Sequence, residues 1–236
     1  MDFIAQAQTA DFWINLFKII WINVILSGDN AVVIALAARS LPPRERKLAI
    51  IWGSGAAVIL LVVLTIVAAQ LMALPYLQLV GGALLLWIGV KLLAEEDGDD
   101  GQEQQHSSLM AAIRTILIAD LVMSLDNVIG VAAAAKGEMT LLILGLAISI
   151  PVVVFSSSLM ITVMTRFPIL VTLGAALIGW VGGEALLNDA AIKPMVLDNA
   201  LLEYGVPALC AIGVVVLGNY FKNKGEAKAH SEEHGE

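Results

Sequence analysis

A four-residue polar motif occurs twice in this chain, each time inside a long apolar segment. The first copy is Ser27-Gly28-Asp29-Asn30 and the second is Ser124-Leu125-Asp126-Asn127. A single offset, which takes residue 27 to residue 124, aligns the serine, aspartate and asparagine of one copy with those of the other. A carboxylate is costly in hydrocarbon, so an aspartate there indicates a functional site. Two aspartates at matched positions predict one central site built from both copies.

The motif offers only hard oxygen donors, namely carboxylates, amide carbonyls and hydroxyls. Such ligands suit Mg²⁺, Ca²⁺ or Mn²⁺ and disfavour Zn²⁺ and Cu⁺. The same offset aligns Asn23 with Asp120, one helical turn before each serine, so the second copy has an additional carboxyl group that can titrate. The predicted metal ligands are Asp29, Asn30, Asp120, Asp126 and Asn127, with Asn23, Ser27 and Ser124 as accessory ligands or gating residues.

The helical wheel restricts how each copy can be used. In both copies the asparagine shares a helix face with the serine, whereas the aspartate points about 120° away. Either the helix unwinds locally, or aspartate and asparagine serve adjacent faces. Gly28 favours unwinding in the first copy, and Leu125 does not favour it in the second.

The segments that carry the motif are predicted to cross a membrane. Hydrophobic residues make up 59% of the chain and charged residues 14%, against about 25% charged residues in soluble domains. Several charge-free runs exceed the ~18 residues that span a bilayer, and they do not alternate as the strands of a β-barrel do. We predict an all-α, polytopic membrane protein whose first segment is a retained span and not a signal peptide. The seven predicted spans are 12–38, 48–72, 76–93, 109–135, 140–164, 169–187 and 203–221.

Basic residues predict the orientation of these spans, because cytoplasmic loops are enriched in lysine and arginine. The second, fourth and sixth loops contain only Lys136 and Lys193, and the segment before Phe12 has no base. We therefore predict that the N-terminus is outside and the C-terminus is cytoplasmic. The bases on the predicted cytoplasmic side are Arg39, Arg44, Arg46, Lys47, Lys91, Arg114, Arg166, Lys222, Lys224 and Lys228.

Two units of three spans with opposite orientations predict a 3+3 inverted repeat plus one extra helix. Inverted repeats around a midplane site are typical of secondary transporters. Counting residues at ~1.5 Å each places the two aspartates about 6 Å either side of the midplane. The predicted organisation is a first three-helix repeat at 1–94, an acidic cytoplasmic linker at 95–108, a second three-helix repeat at 109–188, and a seventh helix with a charged C-terminal tail at 189–236.

Several other residues have structural interpretations. The Gly81-Gly82 and Gly182-Gly183 pairs predict close helix packing. Pro151 predicts a bend in the fifth span, where a neighbouring helix or one of the serines at 156–158 must satisfy the freed carbonyl group. Glu184 lies near the end of the sixth span and is interpreted as interfacial. Pro75, Pro168 and Pro207 are placed at or near span ends, where a missing N–H is tolerated.

Asp120 has one charged neighbour in sequence. Arg114 precedes it on the same predicted span, and an ion pair between the two would explain Asp120 structurally. The functional alternative is that Asp120 faces the site and titrates there.

These features together resemble the TerC family of bacterial integral membrane proteins, and in particular its short, seven-span branch. The residues that carry the resemblance are LSGDNAVVIALAAR at 26–39, Trp52-Gly53, DLVMSLDNV at 120–128, and the glycines of the third and sixth spans. The resemblance covers nearly the whole chain to about Phe221. It implies export of Mn²⁺ across the bacterial cytoplasmic membrane, with the family's acidic residues at Asp29, Asp120 and Asp126.

The predicted function is therefore a divalent cation exporter, Mn²⁺ first, with proton antiport left open. We expect no enzymatic activity, no permanently bound cofactor and no nucleic acid partner; the expected partners are the metal ion and the lipid bilayer, and an oligomer is left open. One alternative is a membrane partner that supports metalation or maturation of secreted proteins without transport. A remote alternative is an intramembrane aspartyl protease, although the Gly-x-Gly-Asp signature of that class is missing because Leu26 and Leu125 occupy glycine positions.

Overall fold

All regular structure in the described part of the chain is helical, which confirms the predicted all-α class. In the computed structural model, the described residues are 10–26, 28–72, 74–94, 109–135, 139–196 and 199–233. The predicted acidic linker at 95–108 lies outside them, as does Lys136. The helices are α1 Ala10–Leu26, α2 Gly28–Ala38, α3 Pro43–Met72, α4 Leu77–Ala94, α5 Leu109–Ala135, α6 Met139–Arg166, α7 Ile169–Asn188, α8 Lys193–Val196 and α9 Ala200–Glu233.

Five of the described helices are long and apolar enough to cross a membrane. Two further stretches, Phe12–Trp21 and Gly28–Ala38, are apolar but shorter. The chain is thus a multi-pass helical membrane protein, while the count of seven spans stays a prediction. The five spanning stretches are Pro43–Val67, Leu77–Ala94, Ile143–Arg166, Ile169–Asn188 and Ala200–Lys224.

Helix α2 lies at the centre of the bundle. Every residue of α2 from Asn30 to Ala38 is buried, and the helix contacts α3, α5, α6 and α7. An apolar helix that is buried all round belongs to a protein interior. The polar residues at the start of α2 are therefore carried into the middle of the fold.

The other helices pack around α2 in recurring pairs. Helix α3 packs along α5, and α6 packs along α1 and α2. Helices α4 and α7 form a third extensive pair, and α9 covers both of them. Most of its side chains at 200–224 remain partly or fully exposed, so this part of α9 is peripheral.

Glycines allow α4, α7 and α9 to approach very closely, which confirms the packing role predicted for the two glycine pairs. A β-carbon added to Gly82 would lie 2.6 Å from the carbonyl oxygen of Gly182. One added to Gly183 would lie 2.6 Å from the Cα atom of Pro207. Both separations are shorter than real β-carbon contacts, so the backbones touch only because side chains are absent.

One proline expectation needs correction, and another is narrowed. Pro207 lies inside α9, because this helix begins at Ala200, before the predicted span, and continues through the charged tail. Pro151 lies inside α6 as expected, but two of the three nearby serines, Ser157 and Ser158, do not satisfy its freed carbonyl group. Ser157 donates instead to Val153 O at 2.8 Å, and Ser158 donates to its own preceding turn.

Asp189, directly after α7, caps the start of α4. Its carboxylate accepts hydrogen bonds from the backbone N–H groups of Tyr76, Gln78, Leu79 and Ala191, at 2.9–3.2 Å. Burial by itself raises the pKa of Asp189, but these four donors outweigh it, so the pKa lies below its ordinary value. The cap also holds Tyr76 at a φ of 68°, a left-handed conformation that is uncommon for residues other than glycine.

Arginine side chains cap helices at the opposite end of the bundle. The Arg39 guanidinium donates to Leu92 O, in the last turn of α4, at 3.1 Å. The Arg46 guanidinium donates to Arg39 O, just after α2, at 2.8 Å. Carbonyl groups at helix C-termini lack intrahelical partners, so these arginines tie the ends of α2, α3 and α4 together.

Candidate cation site

The structure brings two of the predicted site residues into direct contact. Asn30, at the start of α2, donates a hydrogen bond from Nδ2 to Oδ1 of Asp120, in the middle of α5, at 3.0 Å. The exposed fractions of the two side chains are only 8% and 9%. This bond joins the first motif copy to the carboxyl group that precedes the second copy.

A small cavity of about 30 Å³ adjoins this pair. A water molecule needs about 10–15 Å³ by this measure, so the cavity has room for a water or an ion. Its polar lining comes from Asn30, Asp120 and Ser54, the last on α3. Its apolar lining comes from Ile34, Ala57, Val58, Leu61, Ile150 and Val153.

Each of the three polar residues has an oxygen without a hydrogen-bond partner among the described residues. These atoms are Asn30 Oδ1, Asp120 Oδ2 and Ser54 Oγ. A buried polar atom without a partner costs about 1–3 kcal/mol, and native proteins contain few of them. Three such atoms around one cavity indicate a place for a ligand that supplies the missing interactions.

Asp29 directly precedes Asn30 in α2 and is half-buried, but it does not line the cavity. Its Oδ1 accepts a hydrogen bond from the Asn30 backbone N–H at 2.9 Å, so the carboxylate caps the start of α2. Its charge is close enough to interact with those of Asp120 and Glu184. The neighbouring side chains of Asp29 and Asn30 thus have different surroundings, as the helical wheel predicts.

The second motif copy lies within an unbroken helix, since α5 runs from Leu109 to Ala135. Ser124 is buried and Asn127 is half-buried. The side chain of Asp126 lies outside what the structure describes, so its place in the site stays a prediction. A regular helix here agrees with the expectation that Leu125, unlike Gly28, does not favour local unwinding.

The first motif copy falls where α1 ends and α2 begins. The two helices are bounded by Leu26 and Gly28, and Ser27 itself lies outside the described residues. The backbone of Asn23 lies in α1, and its side chain is likewise outside them. Local unwinding of the first copy therefore stays a hypothesis.

Asp120 and Arg114 do not form an ion pair in the structure. Arg114 is exposed, and Asp120 meets Asn30 of α2 instead. Six residues separate the two side chains on α5, which turns them about 240° apart and directs them to different faces.

Ser54 is the site residue that the sequence interpretation missed. Gly53 allows α3 to approach α5, because a β-carbon there would lie 2.9 Å from Cδ1 of Ile116. Ile116 lies one helical turn before Asp120, so this close approach brings Ser54 and Asp120 to the same cavity. The available signal was a serine between two glycines, Gly53 and Gly55, in an otherwise apolar span.

The oxygen donors around the cavity suit a hard cation that keeps part of its hydration shell. They do not form a site made of carboxylates alone. Within the described residues, no group of three or more His, Cys, Asp or Glu side chains could hold a metal ion. The cavity instead provides one carboxylate, one amide oxygen and one hydroxyl. Mg²⁺ and related hard ions commonly bind one or two carboxylates and keep several waters.

Comparison with known proteins identifies the family. The model of the TerC family of integral membrane proteins matches residues 8–226. The chain belongs to the TerC family. This confirms the family resemblance inferred from the doubled motif.

Curated relatives of this TerC-family chain are named as membrane proteins. The uncharacterized membrane protein YjbE of Bacillus subtilis is 40% identical over 212 residues, which cover 90% of this chain and 97% of YjbE. YkoY of the same organism is 24% identical, over 91% of this chain and 72% of YkoY. The inner membrane protein YoaE of Escherichia coli is 27% identical over 68% of this chain, but only 35% of YoaE is matched. No solved structure matches the chain significantly.

Proposed function

We propose that this TerC-family protein transports divalent metal cations out of the cytoplasm, with Mn²⁺ as the leading substrate. The observation that carries the proposal is the contact between Asn30 and Asp120 beside a cavity with unpartnered oxygens. Because α2 and α5 carry the two motif copies, this contact supports a site shared between the halves of the chain. The proposed ligands are Asp29, Asn30, Asp120, Asp126 and Asn127.

The ligand chemistry supports a hard divalent cation. Amide, hydroxyl and carboxylate oxygens suit Mn²⁺, Mg²⁺ and Ca²⁺ alike. The choice of Mn²⁺ among them comes from the family resemblance. Asp120 and Asp29 together supply two negative charges near the cavity, which is the charge that one divalent cation balances.

We also propose the 3+3 inverted repeat, with seven spans, as the frame of transport. In such a repeat the packing of α3 on α5 is equivalent to that of α6 on α1 and α2, and both contacts are extensive. Helices α4 and α7 would be equivalent partners of each other, and they pack together along their lengths. This pattern of paired contacts supports alternating access by movement of one half against the other.

The proposed location is the bacterial cytoplasmic membrane, with the N-terminus outside. Arg39 follows α2, and Arg44, Arg46 and Lys47 lie in the first turns of α3, so these bases favour a cytoplasmic position for this end of the two helices. The name of the relative YoaE, an inner membrane protein, agrees with this location.

Proton antiport is the proposed mode of coupling. Asp120 is buried, carries an oxygen without a partner in the described structure, and lies near the charge of Asp29. A carboxyl group in such surroundings can hold a proton when the cation is absent and release it when the cation binds. Export of the cation would then be linked to proton uptake from outside.

The decisive experiment measures Mn²⁺ flux in liposomes that contain the purified protein and a Mn²⁺-sensitive dye. We expect the wild type to carry flux and Asp29→Ala and Asp126→Ala to lose it. Ser157→Ala is the matched control, because the Ser157 hydroxyl is satisfied within its own helix. Absence of flux from the wild type, or wild-type flux from both aspartate variants, would overturn the transport proposal. Flux that is insensitive to collapse of the pH gradient would remove antiport alone.

A further inference from the structure

Ser54 is the buried polar residue of the cavity that lies on neither of the two helices carrying a motif copy. We propose that its hydroxyl is a ligand of the transported cation, in a site that exists on only one side of the inverted repeat. This inference deepens the proposed function, because it assumes that the cavity takes a cation. It adds a ligand from α3, a helix outside both motif copies.

Ser54 differs from two other buried serines, Ser149 and Ser157, in how its hydroxyl is used. Serine hydroxyls inside helices usually donate to the carbonyl group four residues earlier. Ser149 donates to Gly145 O and Ser157 to Val153 O, both at 2.8 Å. Ser54 is only 2% exposed, yet its Oγ has no partner within the described structure. Its hydroxyl is therefore left available to the cavity that it lines.

The three unpartnered oxygens have complementary roles at this cavity. Asn30 uses its amide nitrogen on Asp120, which leaves the amide oxygen as an acceptor for a cation. Asp120 accepts through Oδ1 and keeps Oδ2. Together with Ser54 Oγ they form a set of one charged and two neutral oxygen ligands. Mn²⁺ and Mg²⁺ prefer six oxygen ligands, of which this set would supply three.

The repeat offers no second copy of this set. The offset that aligns the two motif copies aligns Asp120 with Asn23 and Ser54 with Pro151. Proline has no side-chain donor or acceptor, and asparagine has no charge. The equivalent position in the other half thus lacks both the carboxylate and the hydroxyl, so we infer one cation per chain at the cavity.

Replacing Ser54 with cysteine tests this ligand directly. A thiolate is a soft ligand that favours Cd²⁺ over Mn²⁺. The purified full-length protein is titrated with MnCl₂ and with CdCl₂. Ser54→Cys should weaken Mn²⁺ binding by about tenfold, which is the lower end of the affinity losses caused by removing groups that support a metal site. Cd²⁺ binding should tighten and produce the ultraviolet absorption band of a cadmium–thiolate bond. Mn²⁺ should bind the wild type with a stoichiometry of one.

Ser157→Cys is the matched control, because it makes the same chemical change at a buried serine outside the cavity. It should keep the wild-type preference for Mn²⁺, with only the cadmium absorption that the native Cys210 gives in every variant. Equal metal preference in Ser54→Cys and Ser157→Cys would overturn the assignment of Ser54. A stoichiometry of two Mn²⁺ ions per chain in the wild type would overturn its one-sidedness.

Two further variants cover a failure of Ser54→Cys to fold. Ser54→Thr keeps the hydroxyl and should retain Mn²⁺ binding, whereas Ser54→Ala should lose about tenfold in affinity; unchanged affinity in Ser54→Ala would contradict the proposal. Binding and flux separate this inference from the transport proposal. If Mn²⁺ flux depends on Asp29 but Mn²⁺ binding does not depend on Ser54, only this inference is overturned. Binding that depends on Ser54 without any flux in liposomes removes only transport.

Discussion

Two buried regions of this protein differ in the hydrogen bonding and the packing of their residues. Where α2, α3 and α5 meet, three polar residues surround a cavity and keep oxygens without partners in the described structure. Where α4, α7 and α9 meet, glycines bring backbones so close that there is no space for a single methyl group. The first region has buried oxygens that a ligand can contact. In the second region the helices are packed too closely for a ligand to enter.

This difference separates function from stability within one bundle. Unpartnered buried oxygens lower stability and persist where a ligand or water completes them. Glycine contacts between helices in a membrane supply packing, because no hydrophobic effect drives helices together in lipid. Substitutions in the first region should therefore change transport, and substitutions in the second should change stability.

Asp120→Asn should produce the largest change in transport. The substitution keeps the shape of the side chain and removes its charge, so we expect Mn²⁺ flux to fall by about a hundredfold, as for loss of an important metal-site group. The melting temperature in detergent should be unchanged or higher, because the buried carboxylate is costly when no cation is bound.

Flux and melting temperature together decide whether the α2–α3–α5 region is functional. A variant that keeps full flux would show that the charge of Asp120 is not used in transport. A large drop in melting temperature would instead give Asp120 a structural role through its bond with Asn30.

Gly183→Ala should cause the largest loss of stability. Its new methyl group would meet the backbone of Pro207 at 2.6 Å, and overpacking of this kind costs about 1–3 kcal/mol. Gly213→Ala on α9 is the matched control, since a β-carbon added there would have nothing within 4 Å. The melting temperature of the control should equal or exceed that of the wild type. Equal stability of both variants would contradict the close contact between α7 and α9.

The sequence predicted the helices better than it predicted the site. Apolar length located the helices, and the glycine pairs predicted close helix packing, which the structure shows between α4 and α7. Pro207 was misplaced because the predicted span 203–221 put it near a span end, whereas α9 begins earlier, at Ala200, and Pro207 lies within the helix. Local pattern thus determines where a helix runs, but not always where it begins.

The doubled motif and its offset identified Asn30 and Asp120. They predicted neither the hydrogen bond between these two residues nor the role of Ser54. These residues lie on three different helices, and only the packing of Gly53 against Ile116 brings α3 close to α5. A lone serine in an apolar span is ordinarily a packing residue. Its environment depends on which helix is adjacent, and that information is not contained in the spacing of the motif.

Asp189→Asn tests a cap that belongs to the tightly packed region. The amide replaces a carboxylate that accepts four backbone hydrogen bonds, and we expect a loss of about 1–2 kcal/mol in stability at neutral pH. Because the pKa of Asp189 is lowered in the folded protein, its stabilising effect is full above the unfolded-state pKa of about 3.9. It should disappear as pH falls through the lower folded-state pKa.

The measurement compares melting temperatures of the wild type and Asp189→Asn over a series of pH values. Their difference should be constant above about pH 5 and should narrow in acid, where the wild-type carboxyl group is protonated. Mn²⁺ flux per folded protein should be preserved. A difference that does not change with pH would show that the charge of Asp189 adds nothing to the cap.

Glu184→Gln should have the smallest effect and tests where the polar region ends. Glu184 is exposed, and its Oε1 accepts a hydrogen bond from Trp180 Nε1 at 2.8 Å, which a glutamine oxygen can also accept. The substitution removes only a charge that interacts with Asp29. Exposed charge interactions contribute about 0.2–1 kcal/mol and are screened by salt. We therefore expect about a twofold change in Mn²⁺ flux at low ionic strength and none at high ionic strength.

The control for this variant is Trp180→Phe, which removes the hydrogen bond and keeps both an aromatic ring and the charge. If Glu184 is interfacial, both variants should transport Mn²⁺ nearly as well as the wild type. A loss of tenfold or more in Glu184→Gln alone, persisting at high salt, would place Glu184 in the cation path. The polar region would then extend from α5 through Asp29 to α7, and the glycine-packed helices would share in transport.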